Sequence, residues 1–227
     1  MEILYEDNHI IAVNKAVGEI VQGDKTGDRP LSEQLKDYLK EKYNKPGNVF
    51  VGVVHRIDRP TSGVVIFAKT SKALSRLNEM LKSHTEVGKT YWAIVQGKAP
   101  LQEGRLENWL WRNENQNKSY VVKPETKNAK QAILTYTTLA EGNRYSLLEV
   151  QLQTGRHHQI RCQLAALGCP IKGDLKYGAK RSNPDGGICL HARAIEFVHP
   201  VTKELVRIVA PTPSNDNLWN MLTPQTR

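Results

Sequence analysis

Cysteine is scarce in this chain of 227 residues: Cys162, Cys169 and Cys189 make an odd number with no paired spacing. A disulfide framework does not fit that usage, and reduced thiols in a cytoplasmic protein are expected. Metal-ligand spacing is missing too. His157, His158, Cys162, Cys169, Cys189 and His191 form no Cys-x-x-Cys or His-Glu-x-x-His pattern, so no zinc site is expected. No phosphate-loop pattern occurs, which excludes nucleotide-driven chemistry of that type. No apolar run approaches membrane-spanning length, and no basic-then-apolar signal opens the chain. Acidic residues are the minority, 23 against 32 lysines and arginines, which leaves a net charge of +9. Such a balance suits a polyanionic partner, because phosphate neutralisation supplies most non-specific affinity for nucleic acid.

What is present reads as an ordinary globular chain, 39% hydrophobic and 24% charged. Residues 3–5 and 10–13 read as a hairpin around Glu6-Asp7-Asn8. Apolar residues at 31, 35, 38, 39 and 43 have helical spacing, with Pro30 at the start. Valine-rich runs at 50–54 and 64–68 read as buried strands. Ser71 is the expected cap of a helix to about residue 83. Strands are expected over 89–96, 130–139, 144–152, 188–197 and 205–210, with a helix over 158–167. No repeat and no dividing linker is visible. Strands predominate without regular βαβ alternation, which predicts an α+β fold on a mostly antiparallel or mixed sheet. One domain is expected over residues 1–213, followed by a loosely held tail, 214–227.

The most informative stretch is His55-Arg56-Ile57-Asp58-Arg59-Pro60-Thr61-Ser62-Gly63. It falls between two expected strands, so its charges sit on a loop, where function is usually displayed. A carboxylate flanked by guanidinium groups stays ionised, which suits a nucleophile or an anionic electrostatic group. A second cluster is Thr154-Gly155-Arg156-His157-His158-Gln159-Ile160-Arg161, at the start of a helix. Helix N-terminal amides and two arginines favour an anion there. Arg156 and Arg161 are five apart and need not share a face, so one could hold a phosphate while the other reaches into a site. Lys89-Thr90-Tyr91 opens a strand, and Glu6 to Lys15 forms a further motif.

These motifs, in this order, resemble those of the RluA family of RNA pseudouridine synthases. The first is similar to the family's His-Arg-Leu-Asp, two variable residues, then Thr-Ser-Gly, with Ile57 in place of leucine. The second is similar to Thr-Gly-Arg-Thr-His-Gln-Ile-Arg, with His157 in place of threonine. The opening motif departs once, with Ala16 where proline is usual. Residues 170–178 and 190–192 also look like family signatures and are read mainly as architecture. The resemblance runs from about residue 3 to residue 213, and no room is left before it for the S4 RNA-binding domain that some members carry.

The resemblance implies a pseudouridine synthase fold around a basic catalytic cleft. It also implies isomerisation of uridine to pseudouridine in ribosomal or transfer RNA. Asp58 would be the catalytic aspartate, acting by covalent attack or by promoting departure of the base. Arg161 would keep Asp58 charged, with Arg156 as the rival for that role. Tyr91 would stack on the uracil. Arg56 would fill the space left by the flipped base, His55 would orient the loop, and Leu190 would wall the pocket. Isomerisation consumes no external reactant, so no cofactor or metal is expected. Nor is a membrane or obligate protein partner; a monomer is expected. Two other readings remain open: a nucleic-acid glycosidase using Asp58 with Asp174, and a non-catalytic RNA-binding module.

Overall fold

In a computed structural model of the protein, which describes residues 1–83, 87–214 and 216–224, the chain forms two compact units. The first holds Met1–Gly88 and Ala192–Pro211; the second holds Lys89–His191 and the segment from Thr212 onward. Two of the three crossings fall inside strands, between residues 88 and 89 and between 191 and 192, and the third follows β11 (Leu205–Val209), between Pro211 and Thr212. A division within strands leaves no proline- or glycine-rich linker at those two points, which is why composition marks neither. The described residues contain eleven strands and four helices, an α+β architecture.

In the first unit, β1 (Glu2–Glu6) and β2 (Ile10–Lys15) form the expected antiparallel hairpin. Asp7 closes it, with Oδ1 accepting from the amides of His9 and Ile10 at 2.7 Å each. β4 (Ser62–Ala68) lies antiparallel to β2, and all seven of its residues are buried. β10 (Leu190–Val198) neighbours β4, and β11 (Leu205–Val209) pairs with β10. α1 (Leu31–Lys42) puts Leu31, Leu35 and Leu39 fully inside, against Ile11, Val13, Val65 and Phe67. α2 (Ser71–Ser83) is one residue displaced in its cap: Thr70 Oγ1, not Ser71, accepts the Ala73 amide.

The run at 50–54 corrects the expected strand. Only β3, Gly52–Val53, pairs, against β4, and Phe50 is exposed. Val49, Val51 and Val54 are buried all the same. Their apolarity reflects core contacts of a mainly irregular segment rather than a ladder.

The second unit is an antiparallel meander in space, ordered β5-β9-β8-β6-β7. Its strands are β5 (Val87–Gln96), β6 (Glu103–Asn113), β7 (Lys118–Val122), β8 (Lys130–Glu141) and β9 (Tyr145–Leu152). α3 (Gln159–Ala166) packs on one face of this sheet through Cys162, which joins Leu110, Ala132 and Tyr177. The described part of the segment expected as a tail contains a helix. α4 (Asn217–Leu222) buries Trp219 and Leu222. Asp216 caps it through the Leu218 amide at 3.0 Å and pairs with Lys172 at 2.5 Å. The indole edge meets the His191 ring at 5.9 Å. No described helix is long and apolar enough to cross a membrane.

Gly63 shows how tightly the segment after Asp58 is seated. Its φ is +114°, and a Cβ there would lie 2.6 Å from the Ala192 amide nitrogen. Because backbone on both sides must yield, Gly63→Ala is expected to cost about 3 kcal/mol or more. In a chain of this size that lowers Tm by about 10 °C, measurable by thermal unfolding.

Candidate active site

The Asp58 loop is held from beneath by a residue that the sequence motif alone does not single out. Lys15, the last residue of β2, is completely buried. Its Nζ donates to three carbonyls: Ala16 at 2.9 Å, Arg59 at 3.1 Å and Thr61 at 2.7 Å. Two of the three flank Pro60 in the loop. The Gly18 amide adds a second bond to the Arg59 carbonyl at 3.0 Å, and the Thr61 amide closes a turn on the Asp58 carbonyl at 3.0 Å. Burial pushes the Lys15 ammonium down to about 8, opposed by the negative charges of Glu19 and Asp58. Desolvation outweighs the attraction of two carboxylates because a lysine with no water shell loses its largest source of charge stabilisation.

His55 ties the other end of the loop, its Nε2 accepting from the Ile66 amide of β4 at 3.2 Å. Ile57 turns inward onto the core that α1 and β2 share. Asp58 is half-buried. The two arginines beside it in sequence diverge. Arg56 is exposed, and Arg59 reaches out to Asp28 at 2.6 Å. Within this unit the buried cation whose charge Asp58 favours is Lys15.

In the second unit, Tyr91 lies opposite Val150 in the β5–β9 ladder and is 8% exposed. Leu190 opens β10 and is buried. Arg161, on the second residue position after the α3 start, is also buried. Its Nε and Nη2 meet the two carboxylate oxygens of Asp174 at 2.7 and 2.9 Å, a bidentate pair. Its Nη1 meets His158 Nε2 at 3.0 Å. A guanidinium only donates, so Nε2 accepts and Nδ1 carries the proton. That proton goes to Tyr177 Oη at 3.0 Å, which also accepts from the Ser119 amide at 2.8 Å. Burial and the charge of Arg161 push His158 down to about 2, so its ring is neutral. His158 sits at φ +52°, which places its ring between Arg161 and Tyr177 at the N-cap of α3. His157, standing where the family has threonine, stacks on His158 with ring centres 3.8 Å apart.

Arg156 is placed differently from Arg161. It is half-buried, and its Nε donates to the Gln131 carbonyl at 2.9 Å. Asp174, read from sequence as architecture or as a glycosidase acid, is the counter-ion of Arg161. Both of its oxygens are engaged by one guanidinium.

The comparisons with known proteins follow this geometry. A family model described as RNA pseudouridylate synthase matches residues 9–166. The chain belongs to that family and is RluA-type. A Xylella fastidiosa protein named ribosomal large subunit pseudouridine synthase D is 34% identical over 95% of this chain and 67% of its own length. A Vibrio vulnificus protein named tRNA pseudouridine synthase C is also 34% identical, over 98% of this chain and 94% of its own. The solved structure of human RNA pseudouridylate synthase domain containing 4 matches with a TM-score of 0.78 at 24% identity, covering 94% of this chain and 89% of that one. It establishes the pseudouridine synthase fold. The protein is thus an isomerase that acts on RNA.

Proposed function

We propose that this protein converts specific uridines in ribosomal or transfer RNA to pseudouridine, as a cytoplasmic monomer, with Asp58 as the catalytic carboxylate. The reaction breaks the N1–C1′ bond, turns the uracil, joins C5 to C1′, and moves the C5 proton away while N1 gains one. No external reactant enters, so neither cofactor nor metal is needed. The observation that carries the reading is the loop around Asp58. A fully buried lysine donates to two of its carbonyls and leaves the carboxylate half-exposed. A carboxylate held rigidly at a surface is placed to meet a substrate.

Arg161 is the guanidinium we assign to Asp58, in preference to Arg156. Its side chain is immobilised by Asp174 and His158, whereas Arg156 is fixed only through Nε. Tyr91 receives the uracil ring, and Leu190 supplies an apolar wall. His55 and Arg56 shape the loop and fill the space that the base vacates. Flipping the uridine out of its stack costs about a few kcal/mol, offset by contacts to the RNA backbone.

The test is tritium release from 5-tritiated uridine in bulk RNA taken from cells lacking this gene. Release accompanied by pseudouridine, with no free uracil, is expected. Free uracil would instead establish a glycosidase, and binding without either product would establish a non-catalytic module.

A further inference from the structure

Beside the turn between β9 and α3 lies a cation that the proposed chemistry does not use. Lys89 stands two residues before Tyr91 on β5, so both side chains leave the same face of the strand, about 7 Å apart. Its Nζ lies over Gly155. A Cβ at Gly155 would meet that nitrogen at 3.9 Å and no other atom within 4 Å. Among the described residues Lys89 has neither a hydrogen-bond acceptor nor an ion-pair partner. Burial lowers its ammonium, with no nearby carboxylate to compensate. A half-buried lysine without a counter-ion is costly unless a ligand supplies the missing charge.

The next residue along the turn is in a similar state. Arg156 is oriented by the bond from its Nε to the Gln131 carbonyl, and no described residue accepts from its Nη1 or Nη2. Gly155 itself is exposed. Lacking a side chain, it leaves the space above the turn open to an incoming group. Two cations with unfilled donor positions therefore border one glycine, on the sheet face that carries Tyr91.

We infer that Lys89 and Arg156 form a subsite at Gly155 for a phosphodiester of the RNA, belonging to the nucleotide whose base Tyr91 receives or to its immediate neighbour. This rests on the function proposed above. A nucleotide spans the short distance from a base on Tyr91 to a phosphate at Lys89. The subsite thus fixes the sugar from one side while the base is held from the other. Lys89 is a binding residue in this scheme and moves no proton.

The experiment measures binding of a short fluorescent oligouridylate to the full-length protein across a salt series. Each phosphate neutralised contributes about 0.7 to the slope of log affinity against log salt for single strands. Lys89→Gln is expected to reduce the slope by about that amount and to weaken binding about tenfold at low salt, with Lys89→Arg restoring the slope. Gly155→Asp is the second variant, because it places a carboxylate beside Lys89 Nζ at an exposed position with room for a side chain. It should reproduce the loss even if Lys89→Gln proves poorly folded. A slope equal to that of the wild type in folded Gly155→Asp protein overturns the subsite. Tritium release by the unaltered protein separates the two claims: release with unchanged slopes defeats the subsite alone, and no release defeats the function on which it rests.

Discussion

Asparagine in place of Asp58 is expected to cut tritium release at least about a thousandfold while RNA affinity changes less than about threefold. The two side chains have nearly the same shape, so the turn closed by the Thr61 amide on the residue 58 carbonyl survives. What is lost is one negative charge, at the point where the proposed reaction breaks the glycosidic bond. Melting temperature should move little, since Asp58 is half-buried and the loop is held mainly by Lys15 and His55. Full activity in Asp58→Asn would remove the carboxylate from the mechanism altogether.

The second large effect is expected from Lys15→Met. Methionine fills much of the same space but leaves the Arg59 and Thr61 carbonyls without their buried donor. The loop then keeps the Gly18 and His55 bonds but loses its support beneath Pro60. A misplacement on the order of 1 Å at a reacting group costs about a hundredfold in rate, and kcat should fall by about that factor, with a smaller change in RNA affinity. Stability should fall much less, because burying the charged lysine is itself unfavourable.

The pH dependence follows from the same residue with opposite signs for stability and activity. The folded-state value of about 8 lies below the ordinary lysine value of 10.5. Between those limits the unfolded chain binds more protons than the native one, so stability attributable to Lys15 rises with pH across that window. Below about pH 8 both states are protonated and the dependence vanishes. Activity runs the other way. A neutral amine has only two hydrogens for three carbonyls, so turnover should decline as pH rises through about 8. A pH–rate profile alongside thermal unfolding measures both. Parallel trends in the two would contradict the assignment.

Much of this molecule was legible before its coordinates. The hairpin at Asp7, the α1 face of Leu31, Leu35 and Leu39, and the position of Asp58 between buried segments followed from periodicity and turn chemistry. The α+β class and the family motifs held as well. The misses have physical causes. Val49, Val51 and Val54 are buried by packing without ladder pairing, and an apolar run cannot distinguish the two. The tail is polar in composition, yet Trp219 and Leu222 give its six-residue helix a buried apolar face, and Asp216 caps it. Lys15 closes the opening motif, and nothing local to it says that three carbonyls converge on its amine. Asp174 pairs with Arg161 across thirteen positions of sequence, a distance over which charge pattern gives no guidance.

The seating of Gly63 against Ala192 has a consequence for biosynthesis. The segment that carries the proposed catalytic carboxylate is made early, but the backbone it rests on is made late. A nascent chain therefore cannot complete the geometry of the Asp58 loop until residue 192 and the strand around it have emerged. Premature termination before that point should yield products without isomerase activity, however well their early portions collapse, and translation itself delays the enzyme's first encounter with RNA as a competent catalyst.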